Sequence, residues 1–174
     1  EGLYRLMQES PDFEPYIGIV PFTLFDLEDV LRNLDLCRKR FDAKKYRVIN
    51  GWSPANERML DFKDIISPDI VFFTDQWEVT LPQYSIEHFC KESLTCYTPY
   101  GIYAANLQEG QYDSAFYEFL DLFFCETKIH KYMGEKYGTH LDGKLIVSGY
   151  MRLDDMLEKA ENIEYIWKIQ SNTL

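Results

Sequence analysis

Four polar runs in the sequence each follow an apolar stretch, and they hold the residues best suited to chemistry. Thr74, Asp75, Gln76, Trp77 and Glu78 follow residues 70–73. Tyr97, Thr98, Pro99, Tyr100 and Gly101 close a run that begins at Thr95. Glu126 and Thr127 follow residues 122–125, and Ser148, Gly149, Tyr150, Met151 and Arg152 follow residues 144–147. Hydroxyls, carboxylates, aromatic faces and one guanidinium suit a hydroxylated or phosphorylated ligand, because Arg forks onto phosphate oxygens and Tyr stacks or hydrogen-bonds. Asp75, with Glu78 three residues on, has the spacing to supply a general base. Each residue also has a plainer reading. Thr127 is placed to cap a helix, Arg152 to pair with Asp154 or Asp155, and Asp75 to end a strand.

Other chemistries find no support. His88, His130 and His140 fall in helices or the loop after one, where a structural or exposed role is the expectation. The sequence has no His-x-x-His pair and no cysteine cluster for zinc. It also lacks the Gly-rich, Walker A and nucleophile-elbow motifs, so neither a metal nor a cofactor is expected. Cys37, Cys90, Cys96 and Cys125 lack Cys-x-x-Cys spacing, and reduced thiols in a cytoplasmic setting are the default. A formal charge of -11, from 29 acidic and 18 basic residues, repels nucleic acid. The basic cluster Arg38, Lys39, Arg40, Lys44 and Lys45 sits where a helix begun near Asp26 should end, complementing its dipole; a phosphate or lipid-headgroup patch is the alternative. No apolar stretch approaches the ~20 residues of a membrane-spanning helix.

These residues must be positioned by repeated strand-then-helix units, which imply an α/β domain with a crevice along one sheet edge. The 174 residues fit one domain. A short helix over residues 2–8 precedes a strand bounded by Pro15 and Pro21. A helix capped by Asp26 carries Leu27, Val30, Leu31, Leu34 and Phe41 at helical spacing. Residues 46–52 read as a strand with a turn, or a hairpin closure, at Asn50 and Gly51. Residues 56–66 read as a helix, and the wholly apolar residues 70–73 as a parallel strand covered on both faces. There follow a helix over 85–93, a strand over 95–99 and a polar loop over 106–113. The ambiguous stretch 114–124 divides near Asp121. Thr127 opens a helix that Gly138 ends, before a strand over 144–148 and a helix over 153–160.

The order of four motifs carries a resemblance. Phe13-Glu-Pro-Tyr-Ile-Gly-Ile-Val-Pro21, Pro68-Asp-Ile-Val-Phe-Phe-Thr74, Tyr97-Thr-Pro-Tyr-Gly101 and Ser148-Gly-Tyr-Met-Arg-Leu-Asp154 together resemble the N-terminal half of CDP-glycerol glycerophosphotransferase-like proteins. The closing Gly-Tyr-x-x-Leu-Asp is the most specific element. The resemblance implies a GT-B enzyme, with a Rossmann-like three-layer α/β/α N-terminal domain that approaches the acceptor and a C-terminal domain that holds the activated donor. It further implies that the sheet here is mainly parallel and lacks its first strand, and that residues 1–162 form the acceptor-side domain. Residues 163–174 would begin an interdomain segment, and the donor domain would be absent.

The implied function is transfer of a glycerophosphate or glycosyl unit in the synthesis of a cell-surface polymer, teichoic acid or capsule, with the isolated fragment inactive. A polyol-phosphate or sugar would be the acceptor. The location would be cytoplasmic, with peripheral contact at the inner face of the membrane. Thr74, Tyr97, Tyr100, Gly101, Glu126, Tyr150 and Arg152 are the expected substrate-binding residues and Asp75 the expected base. One departure bears on mechanism. The family's polymerases carry a His-Gly dipeptide at a strand end, the His a proposed base, whereas Tyr100 and Gly101 stand here. A tyrosine of ordinary acidity, pKa about 10, is a poor base at neutral pH, so Tyr100 would position an acceptor hydroxyl or phosphate. The alternatives are a non-catalytic α/β domain binding a small ligand or partner, and a flavodoxin-like protein.

Overall fold

The computed structural model describes residues 1–104 and 107–161; the interdomain segment expected over 163–174 lies outside them. The chain runs α1 (Gly2–Glu9), β1 (Ile17–Ile19), α2 (Leu27–Asp42), β2 (Val48–Asn50), β3 (Trp52–Ser53), β4 (Arg58–Met59), β5 (Ile70–Phe73) and α3 (Ile86–Phe89). It continues through β6 (Leu94–Tyr97), α4 (Gln108–Tyr112), β7 (Leu122–Cys125), α5 (Lys128–Tyr137), β8 (Leu145–Val147) and α6 (Leu153–Glu161). Short 3-10 turns lie at Phe62–Asp64, Pro82–Tyr84 and Ala115–Phe119.

Strands β5, β6, β7 and β8 lie side by side in that order, all parallel, and β1 pairs parallel with β2. Helices flank the strands, so the architecture is the expected Rossmann-like three-layer α/β/α fold. Local chemistry explains the helix starts. The Asp26 carboxylate accepts the Asp29 N–H at 2.9 Å, and Glu28 and Asp29 add negative charge where the helix dipole is positive. Lys39 and Arg40 lie in the last turn of α2. The basic cluster is largely paired: Arg38 and Lys39 with Asp35, and Arg40 and Lys44 with Glu1.

Register sorts the side chains by face. Phe73, Tyr97, Phe123 and Leu145 stand abreast and anchor the main core with Ile86, Tyr112, Tyr117 and Leu141. A second cluster, Ile49, Phe62, Tyr84 and Phe89, continues that layer beneath β1 and β2. On the opposite face Ile19 packs with Val30 and Leu34 of α2. Tyr4 of α1 joins this layer, its ring 4.3 Å from that of Tyr46 and its hydroxyl accepting the Arg47 N–H at 2.8 Å. Helices α1 and α2 therefore lie on the face opposite to α3 and α5, and the winding reverses between β1 and β5.

Three expectations need correction. Residues 56–66 form no helix. Trp52 pairs with Met59 in an antiparallel ribbon, Glu57 turns through a positive φ of 48°, and Phe62 enters a 3-10 turn. The polar loop over 106–113 contains α4. The strand at 70–73 is half-buried rather than covered on both faces. Its Phe72 stacks on Phe124 at 6.1 Å on a face where Ile146 is 41% exposed.

Strands β1 and β5 are unpaired with each other, and a cavity of about 1560 Å³ runs between them.

Candidate functional site

The carboxyl ends of β5, β6 and β8 are tied into one rim. The Tyr100 N–H donates to the Thr74 carbonyl at 3.1 Å, and the Tyr100 carbonyl accepts from Arg152 Nη1 at 3.3 Å and the Tyr150 hydroxyl at 3.5 Å. The chain makes this approach after β8 because Gly149 takes a φ of +88°, a conformation open to glycine. Tyr100 is 58% exposed, so its ring is presented to solvent above the strands. Gly101 has open space where a side chain would stand, leaving its backbone accessible.

Asp75 lies beside this rim on the wall of the cavity. Its Oδ1 accepts the Trp77 N–H at 2.9 Å, which fixes the turn after β5. Next to it Gln76 is buried, its Oε1 accepting the Ser114 hydroxyl at 3.3 Å. The sequence-derived residues thus divide. Thr74 and Asp75 face the cavity, while Tyr100, Gly101, Tyr150 and Arg152 are not on its wall and form the outer rim.

Tyr97 belongs to neither group. Its ring is in the core, and its hydroxyl lies 2.7 Å from that of Tyr103, which lies 3.3 Å from that of Tyr117. The Tyr117 hydroxyl donates to the Gln111 carbonyl at 2.6 Å, completing a buried phenol chain. Burial, with the neighbouring phenols, pushes the acidity constants of Tyr97, Tyr103 and Tyr117 far above the ordinary value, so these groups stay neutral.

Glu126 sits under the start of α5 with its side chain 3% exposed, and neither carboxylate oxygen has a hydrogen-bond partner among the described residues. His130 Nδ1 is 3.2 Å from Oε2, within ion-pair distance though not aligned as a hydrogen bond. His130 Nε2 lies 3.1 Å from the Tyr103 carbonyl. A carbonyl only accepts, so Nε2 carries the hydrogen. His130 is a candidate that strand-end reasoning passes over because it lies inside a helix. The signal was its position four residues after Glu126, which brings the two together across the first turn of α5. Thr127 acts as the expected N-cap, its hydroxyl accepting the His130 N–H at 3.3 Å.

These features define a class: a doubly wound, Rossmann-like α/β domain whose polar residues gather at the carboxyl edge, beside the point where the winding reverses. That point is where such sheets bind ligands. No protein-family model, curated protein or solved structure matches the chain.

Proposed function

We propose that this chain is the acceptor-side domain of a two-domain transferase that moves a glycerophosphate or glycosyl unit from a nucleotide-activated donor. The acceptor is a polyol-phosphate or sugar, and the product a cell-surface polymer such as teichoic acid or capsule. The observation that carries the reading is the rim itself, where Arg152 and Tyr150 converge on the Tyr100 carbonyl. In this reading Arg152 forks onto the acceptor phosphate, Tyr100 and Tyr150 orient its hydroxyls, and the accessible Gly101 backbone allows close approach. Thr74 holds the Tyr100 loop through its carbonyl. Asp75, on the cavity wall, takes the proton from the attacking hydroxyl. Glu126 acts through His130, and Tyr97 supports the rim from the core.

A peripheral position on the inner membrane face brings such a domain to a polymer growing there, and a second domain supplies the donor. The test is turnover of CDP-glycerol by an enzyme that joins this chain to its donor domain. Arg152→Ala should lower kcat/KM by about 100-fold, the loss of ~2.7 kcal/mol expected when a charged contact made in the transition state goes, and Tyr100→Ala by about 10-fold, the ~1.4 kcal/mol of a neutral hydrogen bond. Unchanged turnover by both folded variants removes the reading. The engagement of Asp75 in a turn favours a second reading, a non-catalytic domain that binds a small ligand at the same rim. That reading predicts binding without turnover.

A further inference from the structure

We infer that Glu126 and His130 form a chelating pair for one divalent transition ion, of the Zn²⁺ or Mn²⁺ class, at the foot of α5. The first observation is the carboxylate. The Glu126 side chain is 3% exposed, and neither of its oxygens has a hydrogen-bond partner among the described residues. Carboxylates held this far from water are as a rule hydrogen-bonded, paired with a cation or bound to a metal. The lysines of α5 do not meet that need. Lys128 is exposed, Lys131 pairs with Glu135 at 3.8 Å, and the Lys136 ammonium lies 4.7 Å from the centre of the Tyr137 ring.

His130 supplies the second donor. Its Nε2 faces the Tyr103 carbonyl at 3.1 Å and carries the hydrogen, which leaves Nδ1 to present a lone pair when the ring is neutral. An imidazole whose far nitrogen donates to a backbone carbonyl is the usual arrangement of a metal-binding histidine, because that bond fixes both tautomer and ring plane. Nδ1 lies 3.2 Å from Glu126 Oε2, within ion-pair reach yet off the line of a hydrogen bond. Two donors to one ion have this relation. With each about 2.1 Å from the metal and an angle of roughly 100° between them, they stand ~3.2 Å apart, and their lone pairs converge beside the line that joins them.

Two hydroxyls are placed to complete the set. Thr127 Oγ1 lies 3.2 Å from Nδ1 and accepts the His130 N–H at 3.3 Å. Tyr112 runs along the face that Glu126, His130 and Gly134 share at intervals of four. A Cβ added at Gly138 would stand 2.7 Å from the Tyr112 carbonyl oxygen, and one at Gly134 would stand 3.4 Å from its ring, so the ring climbs towards the turn of His130. Its buried hydroxyl has no hydrogen-bond partner among the described residues. Burial, and next the Glu126 charge, pushes the acidity constant of this phenol up. Among the described residues no third His, Cys, Asp or Glu stands with the pair. One imidazole, one carboxylate and neutral oxygens suit a borderline divalent ion rather than a sulfur-rich structural zinc, and they leave positions for water or a ligand oxygen. The set is the same whichever ligand the rim takes.

The experiment titrates the metal-stripped, isotopically labelled chain with Zn²⁺ by calorimetry and with Mn²⁺ by nuclear magnetic resonance. One equivalent of Zn²⁺ should bind saturably. Glu126→Gln and His130→Gln, each checked for a native-like amide spectrum, should weaken that binding by about 10-fold or more. His88→Gln, which removes the separate contact with Asp61, should leave it unaltered. Mg²⁺ should compete about 100-fold less well, because it takes oxygen ligands and sheds water reluctantly. Substoichiometric Mn²⁺ should broaden the amides of Tyr103 and residues 126–131 first, a map that needs no variant. Absence of saturable binding, binding that both Gln variants leave unaltered, or broadening centred on other carboxylates of this acidic chain overturns the inference.

Discussion

Gly18 offers the sharpest check on how β1 packs against the layer beneath it. A Cβ placed there would stand 2.5 Å from Phe62 Cε2 and 3.2 and 3.3 Å from two further ring carbons. Carbon atoms rest about 3.5–4.0 Å apart, so the ring must retreat by ~1 Å. Its packing resists that movement. Phe62 is 8% exposed and packs against Tyr84 with ring centroids 5.0 Å apart, in the cluster beneath β1 and β2. Overpacking of this kind costs about 1–3 kcal/mol, and the better strand propensity of alanine returns ~0.5–1. Gly18→Ala should therefore destabilise the chain by about 1–2 kcal/mol in urea unfolding. In a Phe62→Leu background the obstructing ring is gone and the same substitution should cost less than about 0.5 kcal/mol, a coupling of ~1 kcal/mol in the double-mutant cycle. An alanine tolerated equally in both backgrounds refutes the reasoning.

Further outcomes follow from the buried polar groups. Burial pushes Tyr84 up to about 12, Cys96 to about 11 and Cys125 to about 12, all above the values of the unfolded chain. The folded state holds these protons more tightly, so the stability they confer is complete below about pH 9 and is lost as pH rises towards 12. The urea midpoint should accordingly be level from about pH 7 to 8.5 and fall beyond, with a shallower fall in Tyr84→Phe. Asp121 Oδ2 accepts both the Thr95 N–H at 2.7 Å and the Thr95 hydroxyl at 2.9 Å at the start of β6. Asp121→Ala should lower stability by ~2 kcal/mol, read by the same unfolding assay, with Asp121→Asn retaining more than half of it. Glu126→Leu removes a carboxylate that has no hydrogen-bond partner among the described residues. It should raise the melting temperature by a few degrees, about 1 kcal/mol, while weakening ligand binding, since a residue kept for function is held at the expense of stability.

Much of this architecture is legible in the sequence because local chemistry and tertiary packing agree. Asp26 and Thr127 cap the helices that their spacing marks, and Asp121 divides the 3-10 turn at Ala115–Phe119 from β7. Residues 56–66 misled because Met59, Leu60, Phe62 and Ile66 have helical spacing. Yet Met59 packs with the α2 layer and Phe62 with the opposite one, so no single helix face could serve both. Tyr97 ends β6, two residues before the expected strand end, and the alternation of β6 turns its ring into the core rather than towards the crevice. His130 was obscured by its place in a helix, although the first turn of a helix after a strand lies at the same sheet edge as the strand end. Strand neighbours were harder to read, because pairing is a long-range property, and neither the sequence of β1 nor that of β5 states that the two stay unpaired with each other.

The claim that the rim binds a phosphorylated polyol is tested most directly by titrating the isotopically labelled chain with glycerol 3-phosphate and following its amide resonances. The account predicts saturable shifts at Thr74, Tyr100, Gly101, Tyr150 and Arg152, lost in Arg152→Ala while the fold persists. Shifts confined to other surfaces, or a titration that Arg152→Ala leaves unaltered, would contradict it.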